Sequence, residues 1–176
     1  MVRYSKDDIL MKEEIDDLIS ACKKPKERFI LTVLVYTGMR VGEFCAMKDT
    51  WIRWQDNKIV IPQREGDWKP KTKEGSREIP LVNDEVRREL RNWFQVHREV
   101  GMTRIGVYKL LQRVAKRVKI LKKVYPHSLR ATFASILARK GVSAPSIQAI
   151  MGWKNISVAQ RYVRAMEASK EVMEKW

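Results

Sequence analysis

Apolar residues recur at helical spacing at the start of the chain. Ile9, Leu10, Ile15, Leu18 and Ile19 punctuate acidic positions and predict a helix over residues 7–21. Ser5, with Asp8 three residues later, resembles an N-terminal cap for it. From about Lys26 to Tyr36 the apolar positions run nearly all round (Phe29, Ile30, Leu31, Val33, Leu34, Val35), the pattern of a helix buried in a core. Thr37-Gly38 breaks that helix, and Arg40 to Met47 reads as a third, shorter one.

The period then changes. Trp51–Trp54 and Lys58–Ile61 are rich in β-formers and flank the turn cluster Gln55-Asp56-Asn57. Pro62 ends the second run, Arg77–Leu81 suggests a third, and a charged loop spans Gln63 to Ser76. This predicts an antiparallel sheet of about three strands inserted in a helical protein. Helical spacing returns at Asn83, which can cap a run to about Arg98. Gly101 ends that run, and Thr103 begins another to about Ile120. The latter turns Val107, Leu110, Leu111, Val114 and Val118 inward and Lys109, Arg113, Lys116 and Arg117 outward. Residues 128–140 and 143–151 predict two more helices parted by Gly141-Val142, and the tail from Ser157 to Trp176 is also helical in pattern. The fold class is therefore α+β, mainly α, with a small antiparallel three-stranded sheet.

Length and charge narrow the function. The 176 residues suit one domain, large enough to need no disulfide or structural metal. No apolar run approaches the roughly 18–20 residues of a membrane span, and the N-terminus lacks a signal-peptide core, so the sequence reads as that of a soluble protein. Lys and Arg total 36 against 21 acidic residues, a net charge of +15, which points to a polyanionic partner and most simply to nucleic acid. Cys22 and Cys45 form no metal-binding spacing with His97 or His127, and two lone thiols suit a reducing cytoplasm.

Four segments carry the chemistry. They are Thr37-Gly38-Met39-Arg40-Val41-Gly42-Glu43, Pro70 to Leu81 with its lysines, His127-Ser128-Leu129-Arg130, and Met151-Gly152-Trp153 followed nine residues after the Trp by Tyr162. In order and spacing they resemble the TGxRxxE, β-hairpin lysine, HxxR and LGH- or LGW-to-Tyr segments of the tyrosine recombinase or phage integrase family. The resemblance extends over residues 5 to 166. It implies a helical recombinase catalytic domain that cuts and rejoins DNA through a covalent 3′-phosphotyrosine.

Metal-free phosphodiester cleavage requires a nucleophile, stabilisation of the phosphorane charge, and a proton for the leaving 5′ oxygen. By resemblance Tyr162 is the nucleophile, while Arg40 and Arg130 clamp the non-bridging oxygens with planar donor forks. His127 assists proton transfer or binds the phosphate, and Trp153 donates its indole N–H to the phosphate. Lys71 is the general acid, with Lys73 as the alternative, and Glu43 supports the Arg-His cluster. Alone, each residue has an ordinary reading. Tyr162 would be an amphipathic-helix aromatic, Arg40 with Glu43 an i,i+3 pair, His127 a helix cap, Trp153 a packing residue and Lys71 solvated surface. The joint pattern favours catalysis.

Several details depart from the commoner pattern. Trp153 stands where most members have His, as in Cre-like members, and Ala131 follows the HxxR where His is frequent. The hairpin loop is about one residue longer than in some relatives, and Gly42 should weaken its helix. Lys109, Arg113, Lys116 and Arg117 form a candidate DNA-binding face that would enter a major groove or track the backbone. The resemblance further implies that residues 1–176 are the catalytic domain, with the N-terminal DNA-clamp domain of full-length members absent. It implies a tetramer on double-stranded DNA, with residues 165–176, ending at Trp176, as the contact to a neighbour. No cofactor is implied, because the phosphotyrosine conserves the bond energy. Integration or excision of a viral or mobile element is the expected process. A type IB topoisomerase-like nicking-closing enzyme and a non-catalytic DNA-binding module are the alternatives.

Overall fold

A computed structural model of the chain describes residues 9–174. Its centre is α2 (Pro25–Thr37), in which Phe29, Ile30, Leu31, Val33, Leu34 and Val35 are all buried, as apolar positions nearly all round the helix predict. Pro25 opens this helix, where a missing N–H costs nothing, and Gly38 closes it in the left-handed conformation at φ 59°. Around it lie α1 (Lys12–Ser20), α3 (Val41–Ala46), α4 (Asp84–Phe94), α5 (Arg104–Ala115) and α6 (Pro126–Arg139). One continuous core joins them. Each fully buried Leu, Ile or Phe in it contributes about 1.5–3 kcal/mol.

The sheet is a meander of β1 (Ile52–Arg53), β2 (Lys58–Ile61) and β3 (Arg77–Pro80), antiparallel throughout. Ile59 pairs with Ile52 on one side and Ile79 on the other, so the isoleucines share the buried face. Asn57 takes the positive φ that the β1–β2 turn needs. Then α7 (Ala144–Met151) packs against β3, and α8 (Ile156–Glu174) packs on α6 and α7. A second apolar cluster fills that corner, with Phe133, Leu137, Ile147, Met151 and Ala159 at its centre.

Three boundaries differ from expectation, and tertiary hydrogen bonds explain the first two. The first helix begins at Lys12, not at residue 7, because Leu10 N donates to Thr132 Oγ1 of α6 at 3.0 Å. Glu14 then receives Met11 N at 2.7 Å, closing the first turn. The Ser5–Asp8 cap and Trp176 lie outside the described residues. Helix α4 starts on its Asn83 cap but stops at Phe94 rather than near Arg98. Beyond it Trp93 Nε1 binds Glu99 O, Asp49 N binds Arg98 O, and Val100 N binds Met47 O, which draws this stretch onto the segment after α3. Helix α5 starts on its Thr103 cap and stops at Ala115 instead of near Ile120, continuing as turns in which Arg117 N binds Val114 O. Among the described residues no helix is long and apolar enough to cross a membrane.

Candidate active site

The Thr37-Gly38 turn lies hard against α6 and α7. A β-carbon on Gly38 would sit 2.6 Å from Phe133 Cδ1 and 3.1 Å from Met151 Sδ. Its carbonyl accepts from the guanidinium of Arg130, a residue only 5% exposed on α6. Two residues further on, Arg40 caps α3 and Glu43 turns back to it, accepting Arg40 N at 2.8 Å and Arg40 Nη1 at 2.8 Å. The turn thus ties the first motif to the third through backbone and fork together.

The charged loop between β2 and β3 is anchored at its near end. Trp68 packs on Trp51 with ring centroids 4.6 Å apart. Glu65 accepts from Trp51 Nε1 and, at 3.1 Å, from Thr50 Oγ1. Gly66, at φ 58°, makes the turn that brings Glu65 and Trp68 into a backbone bridge. From that anchor Lys69, Pro70 and Lys71 pass over the site, while Lys73 belongs to a short 3-10 turn, Lys73–Gly75. Ser76 Oγ fixes the far end by donating to Ile61 O at 3.1 Å.

These elements enclose a cavity of about 440 Å³ lined by Arg40, Glu43, Lys69, Lys71, Arg104, His127, Arg130 and Trp153 together with nearby backbone. Arg40, Lys71, His127, Arg130 and Trp153, separated by up to 113 positions (153 − 40), meet there. Lys73 is not among the lining residues. Tyr162 is half-buried on α8 beside the cavity, its ring stacked with that of Trp153 at 5.7 Å and 13°. The Arg130 guanidinium lies 5.7 Å from the centre of the same indole, within cation–π range. Trp153 therefore joins the arginine clamp to the tyrosine helix.

The electrostatics suit an anion. Burial alone would raise the Glu43 pKa, but hydrogen bonds and charge from Arg77, then those from Arg40, outweigh it and hold the carboxyl below the usual range. His127 is pushed down, first by desolvation and then by the charges of Arg130 and Arg40. A depressed imidazole is neutral at neutral pH and able to accept a proton.

One lining arginine, Arg104, and one network arginine, Arg77, escape the motif reading. Arg104, the first residue of α5, lies over Gly42, where a β-carbon would meet its Nη2 at 2.9 Å. The helix-weakening Gly42 thus gives Arg104 room to reach the cavity. Arg77 on β3 binds both oxygens of Glu43, at 2.8 and 2.9 Å. A signal for it existed, since Arg77 alternates with Ile79 on the inward face of a strand, where an unpaired charge is not tolerated. Arg117 corrects the expected outward basic face. Its guanidinium binds Glu27 at 2.7 and 2.9 Å and Ala21 O at 3.0 Å, leaving Lys109, Arg113 and Lys116 exposed at i, i+4, i+7 spacing.

The sequence profile of the Phage integrase family matches residues 8–169. The chain belongs to the phage integrase family. This integrase-family chain is 28% identical over 153 residues to the tyrosine recombinase XerA of Saccharolobus solfataricus, covering 85% of this chain and 49% of the relative. It spans about half of that protein's length. A XerA recombinase crystal structure superposes with a TM-score of 0.75 at 25% identity, covering 95% of this chain and 64% of that one. The Tn1549 transposon integrase, solved in complex with a circular intermediate DNA, shares the fold at TM-score 0.78 and 20% identity, over 98% of this chain and 67% of that one.

Proposed function

We propose that this chain performs the strand cleavage and rejoining of a site-specific tyrosine recombinase on double-stranded DNA. The observation that carries the reading is the meeting of Arg40, Arg130, His127 and Lys71 at one cavity, flanked by the Trp153–Tyr162 stack. The phenolic oxygen of Tyr162 attacks the scissile phosphorus, its proton passing to the neutral imidazole of His127. The P–O5′ bond breaks as the Lys71 ammonium gives its proton to the leaving oxygen, yielding a 3′-phosphotyrosine and a free 5′ hydroxyl. Arg40 and Arg130 hold the non-bridging oxygens through the charge build-up, assisted by the Trp153 indole N–H. Attack by the 5′ hydroxyl of a second strand reverses the steps and completes transfer, with no cofactor consumed.

Tyr162 is stacked on Trp153 and is not among the cavity-lining residues, so attack requires the tyrosine to turn from the indole toward the phosphate. Lys109, Arg113 and Lys116 on α5 extend a basic surface on the helix whose first residue lines the cavity, suited to the DNA backbone. The Tn1549 likeness supports integration or excision of a mobile element, and assembly as a tetramer on DNA accompanies that reading.

Supercoiled plasmid incubated with the protein in EDTA without ATP and quenched with SDS tests the reading. Relaxed DNA and a protein-linked strand are expected, both lost in Tyr162→Phe. Relaxation surviving in Tyr162→Phe would remove Tyr162 as the nucleophile, and silence on a nicked duplex at high protein concentration would leave a non-catalytic DNA-binding module as the account. Strand exchange between two duplexes separates a recombinase from a topoisomerase-like enzyme.

A further inference from the structure

Three arginines divide the end of α7 among them. Arg77 Nε donates to Ile150 O at 2.7 Å, Arg130 donates to Met151 O, and Arg40 Nη2 donates to Gly152 O at 2.8 Å. A helix C-terminus is the negative end of the peptide dipole and offers unpaired carbonyls, so cations settle there. Arg40 and Arg130 also line the cavity, but Arg77 does not.

The remaining donors of Arg77 point to two other places. Nη1 and Nη2 bind the two oxygens of Glu43, and Nη1 also binds Gly75 O at 2.8 Å, in the loop that carries Lys71. Glu43 receives four hydrogen bonds in all, two from Arg77 and two from Arg40, which fills the capacity of a carboxylate. The loop and the helix end touch here without slack. A β-carbon on Gly152 would lie 2.5 Å from Glu74 O and 2.8 Å from Arg77 Cδ.

We infer that Arg77 is a positioning residue, setting Arg40 through Glu43 and locking the lysine loop to the helix end that leads into Trp153 and Tyr162. The inference rests on the proposed strand cleavage. Arg77 itself never meets the DNA. Its replacement by lysine keeps the charge but loses the planar fork, so Glu43 has two empty acceptor sites and draws Arg40 out of register. Misplacement of this kind acts on the transition state far more than on DNA binding.

The test compares the wild type, Arg77→Lys and Glu43→Gln on plasmid in EDTA, with adduct formation at saturating DNA measured separately from DNA affinity. Arg77→Lys is expected to slow adduct formation about a hundredfold while affinity stays within about threefold. An unchanged rate, or a rate loss matched by lost affinity, overturns the inference. Glu43→Gln preserves shape and carries the test should Arg77→Lys not fold, with a comparable rate loss expected. The double variant should be no slower than the slower single, because the two act as one unit, and additive losses would count against it. A readout independent of catalysis is proton exchange at the Arg40 guanidinium by nitrogen-15 NMR, expected to quicken about tenfold or more in either variant. Unchanged exchange overturns the inference. If the wild type forms no adduct, strand cleavage is the reading that fails, and the exchange rates still decide Arg77.

Discussion

Glu27 and Glu43 are chemically close twins with different work. Each stands three residues after a helix N-cap, each accepts the N-cap backbone N–H, and each is bound through both oxygens by an arginine fork. Glu27 is 1% exposed and Glu43 4%. The difference lies in what the arginines do with their other donors. Arg117 gives its spare donor to Ala21 O, so the Glu27 pair closes on itself and staples α2 to the end of α5. Arg40, bound to Glu43, lines the cavity, and Arg77 reaches the lysine loop and α7. The same carboxylate–guanidinium joint is a fastener in one place and an aiming device in the other, according to whether an arginine in it faces open space.

The comparison breaks if either twin behaves like the other. Glu27→Ala takes away the carboxylate that both nitrogens of the Arg117 fork bind and should lower the guanidinium chloride midpoint more than any other change named here. Adduct formation per folded molecule should not change. Next in size is Gly152→Ala beside the Glu43 network, about 2–3 kcal/mol from φ 61° and the contact with Glu74 O, with adduct formation slowed as Trp153 shifts. Gly141→Ala, at φ 78° in open space, is the control and should cost only about 1 kcal/mol. Acid should act on the fastener more gently. The Arg117 hydrogen bonds, outweighing burial, hold Glu27 at about 2, below the ordinary glutamate value of 4.5. Its contribution is complete above pH 4.5 and is lost as pH falls toward 2, so urea midpoints should decline over that window and less steeply in Glu27→Gln. The smallest effect belongs to Arg113→Ala, four residues before Arg117. Stability should stay within about 0.5 kcal/mol, while the logarithmic salt slope of DNA binding shrinks by about one.

Those two arginines also mark where the sequence could be read and where it could not. Helical periodicity sets both on one outward stripe, but α5 stops at Ala115, and Arg117 turns in toward a partner 90 residues away. The limits of α2 were legible almost to the residue, because Pro25 and Gly38 punctuate a largely apolar stretch. The limits of α1 and α4 were not, since Thr132 and Glu99 decide them from elsewhere in the fold. The three-stranded sheet followed from β-rich runs around the Gln55-Asp56-Asn57 turn cluster, while Glu65, Trp68 and Gly66 shape the loop after β2 by contacts that no local pattern announces. Of the site, the motif residues were visible only as a set. Arg104 was not, because its importance comes from Gly42, its neighbour in space, and Arg77 showed only as a charge on an inward strand position, its partner Glu43 being set by the fold.

The shared helix end bears on how the site tolerates its own charge. Three guanidinium groups gathered at one place would repel one another and splay apart without counter-charge. Here the carbonyls of Ile150, Met151 and Gly152, with the Glu43 carboxylate, supply the counter-charge permanently. On the proposed function, the arginines are therefore set before DNA arrives. A phosphate would then meet a site already assembled, and little binding energy would be diverted into assembling it.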